Sequence, residues 1–109
     1  MKNPSNYIST TIADTETSTD AIDLNGKKLV GIEFPATMTG TTVSIQQCES
    51  EGGTYTDVYD FYGTAVSVPV VDGYIPVDPT IFVGPAFIKI VSDAAEGADR
   101  TLKAVCVDL

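Results

Sequence analysis

Hydrophobic positions recur along this chain with a period of two and nowhere with the period of a helix. From Thr42 to Tyr62, TVSIQQCESEGGTYTDVYDFY reads as strand, turn, strand. Val43, Ile45 and Gln47 alternate with Ser44, Gln46 and Cys48, as in a half-buried strand. Glu51-Gly52-Gly53 lets the chain reverse, because glycine tolerates positive φ. Tyr55, Thr56, Val58 and Tyr59 then resume with β-branched and aromatic residues that suit a pleated surface.

The remaining segments repeat this logic. Ile22 and Leu24 face inward before an Asn25-Gly26 turn. Lys28–Phe34 places Val30, Ile32 and Phe34 on one face and Leu29, Gly31 and Glu33 on the other, and Pro35 ends it. In Ala65–Val71, Pro69 marks an edge or a bulge; Asp72-Gly73 turns into Tyr74-Ile75-Pro76-Val77. Asp78–Pro85 reads as a loop with a helical turn, Phe87–Val91 as a strand, and Ser92–Asp99 as a polar loop. Arg100–Asp108 closes the chain with Leu102, Ala104 and Cys106 on one face. Short strands separated by turns every roughly 8–12 residues predict an all-β fold. The expectation is a single antiparallel β-sandwich of seven or eight strands, jelly-roll or immunoglobulin-like, over residues 21–109.

Residues 1–20 are polar and rich in Thr and Ser. They read as a flexible N-terminal arm with one short strand, in which Ile8, Thr10 and Ile12 share a face. The stretch Ala13–Asp20 is either a solvated loop or an arm that lies on a neighbouring subunit, where exposed backbone suits strand addition.

Composition narrows the function. A chain of 109 residues, 43% hydrophobic, supports one domain with its own core. A net charge of −9 repels phosphate backbones and anionic membranes, so neither nucleic acid nor a membrane is an expected partner. MKNPSNYIST has no apolar signal segment, which points to synthesis in a reducing cytoplasm. Cys48 and Cys106 then read as two buried free thiols, with a disulfide as the alternative.

There is no histidine, so Ser-His and Cys-His nucleophile pairs are impossible. Asp57, Asp60, Asp72 and Asp78 match no acid/base spacing, and neither Asp57 with Asp60 nor Asp14, Glu16 and Asp20 follows a calcium-loop order. The chain therefore reads as a non-enzyme without cofactor or metal. Tyrosine is favoured at interfaces, because one end of its ring is apolar and the other polar. The candidate partner contacts are Tyr55, Tyr59, Phe61 and Tyr62, with Tyr7, Ile8, Thr10 and Ile12 of the first segment. Capping of the core is the competing role for the hairpin aromatics; alternation puts Tyr55, Tyr59 and Phe61 on one side and Tyr62 on the other.

VSIQQCESEGGTYTDVYD resembles a hairpin of many β-sandwich modules, including discoidin-like sugar-binding domains, with Ser50-Glu51-Gly52-Gly53 replacing their Ser-x-Asp-Gly. Around it stand Leu29–Pro35, Tyr74–Pro79, Phe87–Ser92 and Arg100-Thr101-Leu102. Over about residues 24–107 this order resembles the small β-sandwich structural proteins of tailed bacteriophages. The resemblance implies a head decoration, or cement, protein on the virion capsid surface, assembled in the host cytoplasm. Its partner would be the major capsid protein, and a homo-oligomer, a trimer foremost, would clamp neighbouring capsomers. The alternative is a carbohydrate- or receptor-binding module of a phage tail or fibre.

Overall fold

The computed structural model describes residues 6–108. They form nine strands: β1 Asn6–Ile12, β2 Ile22–Asp23, β3 Lys27–Phe34, β4 Thr42–Cys48, β5 Thr56–Asp57, β6 Ser67–Pro69, β7 Gly73–Pro76, β8 Phe87–Ser92 and β9 Arg100–Asp108. A single 3-10 turn, Pro79–Phe82, precedes β8; Asp78 caps it by accepting from the Thr80 N–H.

The chain behaves as one long antiparallel ribbon doubled back on itself. Each outgoing strand pairs with its returning counterpart: β1 with β9, β2 with β8, β3 with β7, and β4 with β5 and β6. Rolling that ribbon brings β9 against β3 and β8 against β4. Two sheets result, ordered β1-β9-β3-β7 and β2-β8-β4-β5, with β6 also on β4. This is the double-sheet jelly roll, which decides between the two expected topologies.

The inward faces of both sheets meet in one core. Leu24, Leu29, Ile32, Ile45, Phe82, Ile88, Ile90, Leu102 and Cys106 are fully enclosed there. One face assignment changes. Between Leu29 and Gly31 the register against β9 slips, leaving Val30 as the extra residue of a β-bulge. The bulge reverses the alternation, so Leu29 points inward together with Ile32 and Phe34, and Val30 does not share their face. The Val30 carbonyl accepts from the Val77 N–H (3.0 Å) and the Tyr74 hydroxyl (3.2 Å). Gly31 has no room for a Cβ, because the Tyr74 ring lies directly over it.

The short strand expected in the N-terminal segment is present as Asn6–Ile12, but it is no detached arm, because all seven residues are in register with β9. Its inward residues explain the docking, since Ile12 has 0% exposure and Ile8 packs on the core. Ala13–Asp20 is likewise tied down. Ser92 donates its N–H to Thr17, Thr19 donates to Ile90, and Thr15 donates to the Glu96 carbonyl. Residues 1–5, the rest of the expected arm, lie outside the described residues. Both cysteines are buried and free. Burial raises the Cys106 thiol above its ordinary pKa, with Lys27 acting weakly the other way.

Candidate partner interface

Two features stand out on this scaffold: a polar knot at one end and an aromatic knuckle on one edge. The up-and-down course of the strands gathers the loops 13–21, 35–41, 70–72 and 93–99 at one end of the sandwich. Glu96, only 1% exposed, sits among three of them. Its carboxylate accepts from the N–H groups of Thr39 (2.7 Å) and Gly40 (2.9 Å), the Ser92 hydroxyl (2.9 Å) and Arg100 Nε (3.0 Å). Burial alone would push Glu96 upward, but these donors outweigh it and hold the carboxyl below its usual range. Asp93 reinforces the knot by accepting from the Thr41 N–H (2.9 Å) and hydroxyl (3.0 Å), and these bonds lower its pKa.

Every bond of Glu96 joins one part of the fold to another, so its work is architectural. The sequence showed SDAAEGAD as a polar loop and gave no sign of a buried carboxylate. The available signal was small residues around one acid, with Ser92 and Arg100 four positions to either side.

The knuckle arises because the return path along β4 is interrupted. β5 pairs with Gln46 and Gln47, and β6 with Thr42, Val43 and Ser44. The chain between them leaves the sheet and comes back: Val58 donates its N–H to Ile45, and Val66 donates to Val58. Tyr59 bridges Ala65, and Asp60 donates its N–H to Thr64 (2.8 Å). At the tip, Asp60-Phe61-Tyr62-Gly63 is a tight turn with the Gly63 N–H bonded to the Asp60 carbonyl (3.0 Å). Aspartate first and glycine last is the preference of a type I turn, and Gly63 has φ of 79°. The Asp60 carboxylate also accepts from the N–H groups of Tyr62 (2.9 Å) and Thr64 (3.0 Å), which stiffens the tip.

This geometry corrects the side-by-side reading of the aromatics. Phe61 and Tyr62 occupy the two corners of a turn and not alternate strand positions, and they are 76% and 93% exposed. Tyr59, at the base, is 56% exposed, so the three do not cap the core. Tyr55 is apart from them. Its hydroxyl donates to the Glu51 carbonyl (2.8 Å), and its ring lies 4.5 Å from Lys89 Nζ. Burial, then the nearby Cys48 and Glu51, raise its pKa. In the first segment, Tyr7 is exposed, Thr10 half-buried and Ile8 packed inward, whereas Ile12 is enclosed in the core and unable to touch a partner.

Beside the knuckle, a groove of about 210 Å³ opens between the sheet edges β6 and β7, lined by Val66, Val68, Ile75, Val77 and Phe82. Tyr59, Phe61 and Tyr62 do not line it. The four loop aspartates are not gathered into a cluster. Asp57 meets Gln46, Asp60 holds the knuckle, and Asp78 caps the 3-10 turn. Among the described residues, no group of three or more His, Cys, Asp or Glu is placed to hold a metal ion, and no helix is long and apolar enough to cross a membrane.

An all-β ribbon rolled in this way has a counterpart among solved structures. The chain shares its fold with a prophage-derived protein. That structure is the SPBc2 prophage-derived protein YomS, 14% identical, with a TM-score of 0.59 over 99% of this chain and 98% of that one. No protein-family model matches the sequence. No curated protein matches it either.

Proposed function

We propose that this chain is a virion structural protein of a tailed bacteriophage that decorates the capsid. On this reading it binds the outer surface of the major capsid protein and clamps neighbouring capsomers. The observation that carries the reading is the knuckle: two aromatics held at the corners of a hydrogen-bonded turn and left largely exposed to water. Exposing such rings costs hydration free energy that a partner surface would recover, and aromatic anchors dominate protein interfaces. The jelly roll is a recurrent capsid architecture, and the structural likeness to a prophage-derived protein supports the same setting.

On this reading the knuckle, and not a free N-terminal arm, carries the capsid contact, because residues 6–12 pair with β9 in their own sheet. A sugar-binding module would instead set its aromatics beside a polar cleft. Here they stand on an exposed turn, and they do not line the largely apolar groove beside it.

Co-sedimentation with shells of the source phage that lack this protein tests the proposal. Saturable binding at a fixed stoichiometry, with raised thermal stability of the shell, is the expected result. Retention on host polysaccharide without binding to shells would overturn it in favour of a tail or receptor-binding role.

A further inference from the structure

The edges of the two sheets are protected unequally. An open edge offers unpaired N–H and C=O groups to any strand that approaches, and proteins blunt such edges with proline, charge, bulges or brevity. Here β2 is two residues long, β5 is two residues, and β6 is three and ends in Pro69. β7 is four residues long and ends in Pro76. The outer edge of β1 has none of these devices. NYISTTI is seven residues with no charge, proline, glycine or bulge, and its register is unbroken. Among the described residues, no second strand pairs with that edge from Tyr7 to Thr11, and at its end Ile12 bridges Thr19.

We infer that the β1 edge is a self-association surface, on which a second copy of this chain adds its own β1 antiparallel about a twofold axis. An antiparallel pair of identical strands is self-complementary, the simplest closed arrangement. β1 itself carries no charge to oppose the pairing of two copies. A chain of net charge −9 repels its own copies, and β1 lets two backbones meet without placing carboxylates against each other. The sheet behind it also carries most of the positive charge. Of the five basic residues described, Lys27, Lys28, Arg100 and Lys103 belong to β3 and β9, and Lys103 pairs directly with Ser9. On the outward face, Tyr7, Ser9 and Thr11 are exposed and would form the new cross-strand contacts.

The two surfaces lie on opposite sides of the molecule. β6 and β7 share the groove beside the knuckle, and β1 and β2 are at the far ends of the same two sheets. A β1–β1 dimer therefore carries a knuckle at each extremity, and a bivalent ligand gains affinity wherever both sites are reachable. The dimer itself stands independently of the capsid reading.

Sedimentation equilibrium of the full chain tests it, with Thr11→Lys and Ser9→Glu as variants. The glutamate of Ser9→Glu meets Lys103 within its own sheet, so the monomer stays folded. A dimer is expected for the wild type, and self-association about tenfold weaker for each variant. Phe61→Ala/Tyr62→Ala should leave it unchanged. Amide exchange of wild-type Tyr7–Thr11 should slow as protein concentration rises, a readout that requires no variant to fold. A wild-type monomer at every accessible concentration would overturn the inference, as would an oligomer indifferent to both edge variants.

Discussion

At the scale of single residues, Glu96 governs the stability of the loop end. A carboxylate enclosed among four donors stabilises the fold only while ionised, and removing it leaves those donors unpaired. Glu96→Ala is expected to cost about 3 kcal/mol in chemical denaturation, more than any exposed acid on this surface. The sign of the pH dependence follows from its lowered pKa. Because the folded value lies below the unfolded one, the contribution is complete above the ordinary glutamate range and is lost as pH falls through it and below. Asp93, also lowered, acts in the same direction. Melting temperatures measured from neutral to acidic pH should therefore fall, and Glu96→Gln should remove much of that slope; an unchanged slope would contradict this role. None of this was legible in SDAAEGAD, because an acid between alanines and glycine looks solvated until the fold brings Thr39 and Gly40 to it.

At the scale of elements, the strands were readable wherever inward apolar positions alternate, as in Val43 and Ile45, Ile88 and Ile90, or Leu102, Ala104 and Cys106. Pro69 marked an edge correctly, at the end of β6. What failed was phase. The bulge at Val30 depends on a partner strand, so periodicity within Lys28–Phe34 does not reveal it. Gly31→Ala should destabilise the fold or expel the Tyr74 ring, visible as greater solvent quenching of tyrosine fluorescence. The knuckle was hidden for a related reason. Val58–Tyr62 has strand-like composition, whereas Asp60 and Gly63 set the turn that carries Phe61 and Tyr62 outward. Gly63→Ala places a side chain at positive φ and should cost about 1 kcal/mol while loosening the tip.

At the scale of the whole molecule, the ribbon topology makes the first strand indispensable. β1 is remote in sequence from β9, yet it covers that strand along seven residue pairs and supplies Ile12 to the core. Deleting residues 1–12 should unfold the protein, and limited proteolysis should leave Asn6–Ile12 uncut; a truncated chain with native melting behaviour would contradict this placement. The fold was legible as an all-β sandwich because patterning reports burial, but the jelly-roll order was not, because strand partners separated by up to a hundred residues leave no local trace. Exposure separates the candidate contact residues. Phe61 and Tyr62 are presented to solvent and Ile12 is not. The central claim is that those two rings carry attachment to the shell. It is tested most directly by titrating wild type and the Phe61→Ala/Tyr62→Ala variant onto capsids lacking the protein. Both rings are exposed, so the variant should keep the wild-type melting temperature and lose shell binding by a hundredfold or more, about 3 kcal/mol. A variant that still saturates the shell at wild-type affinity would contradict the account.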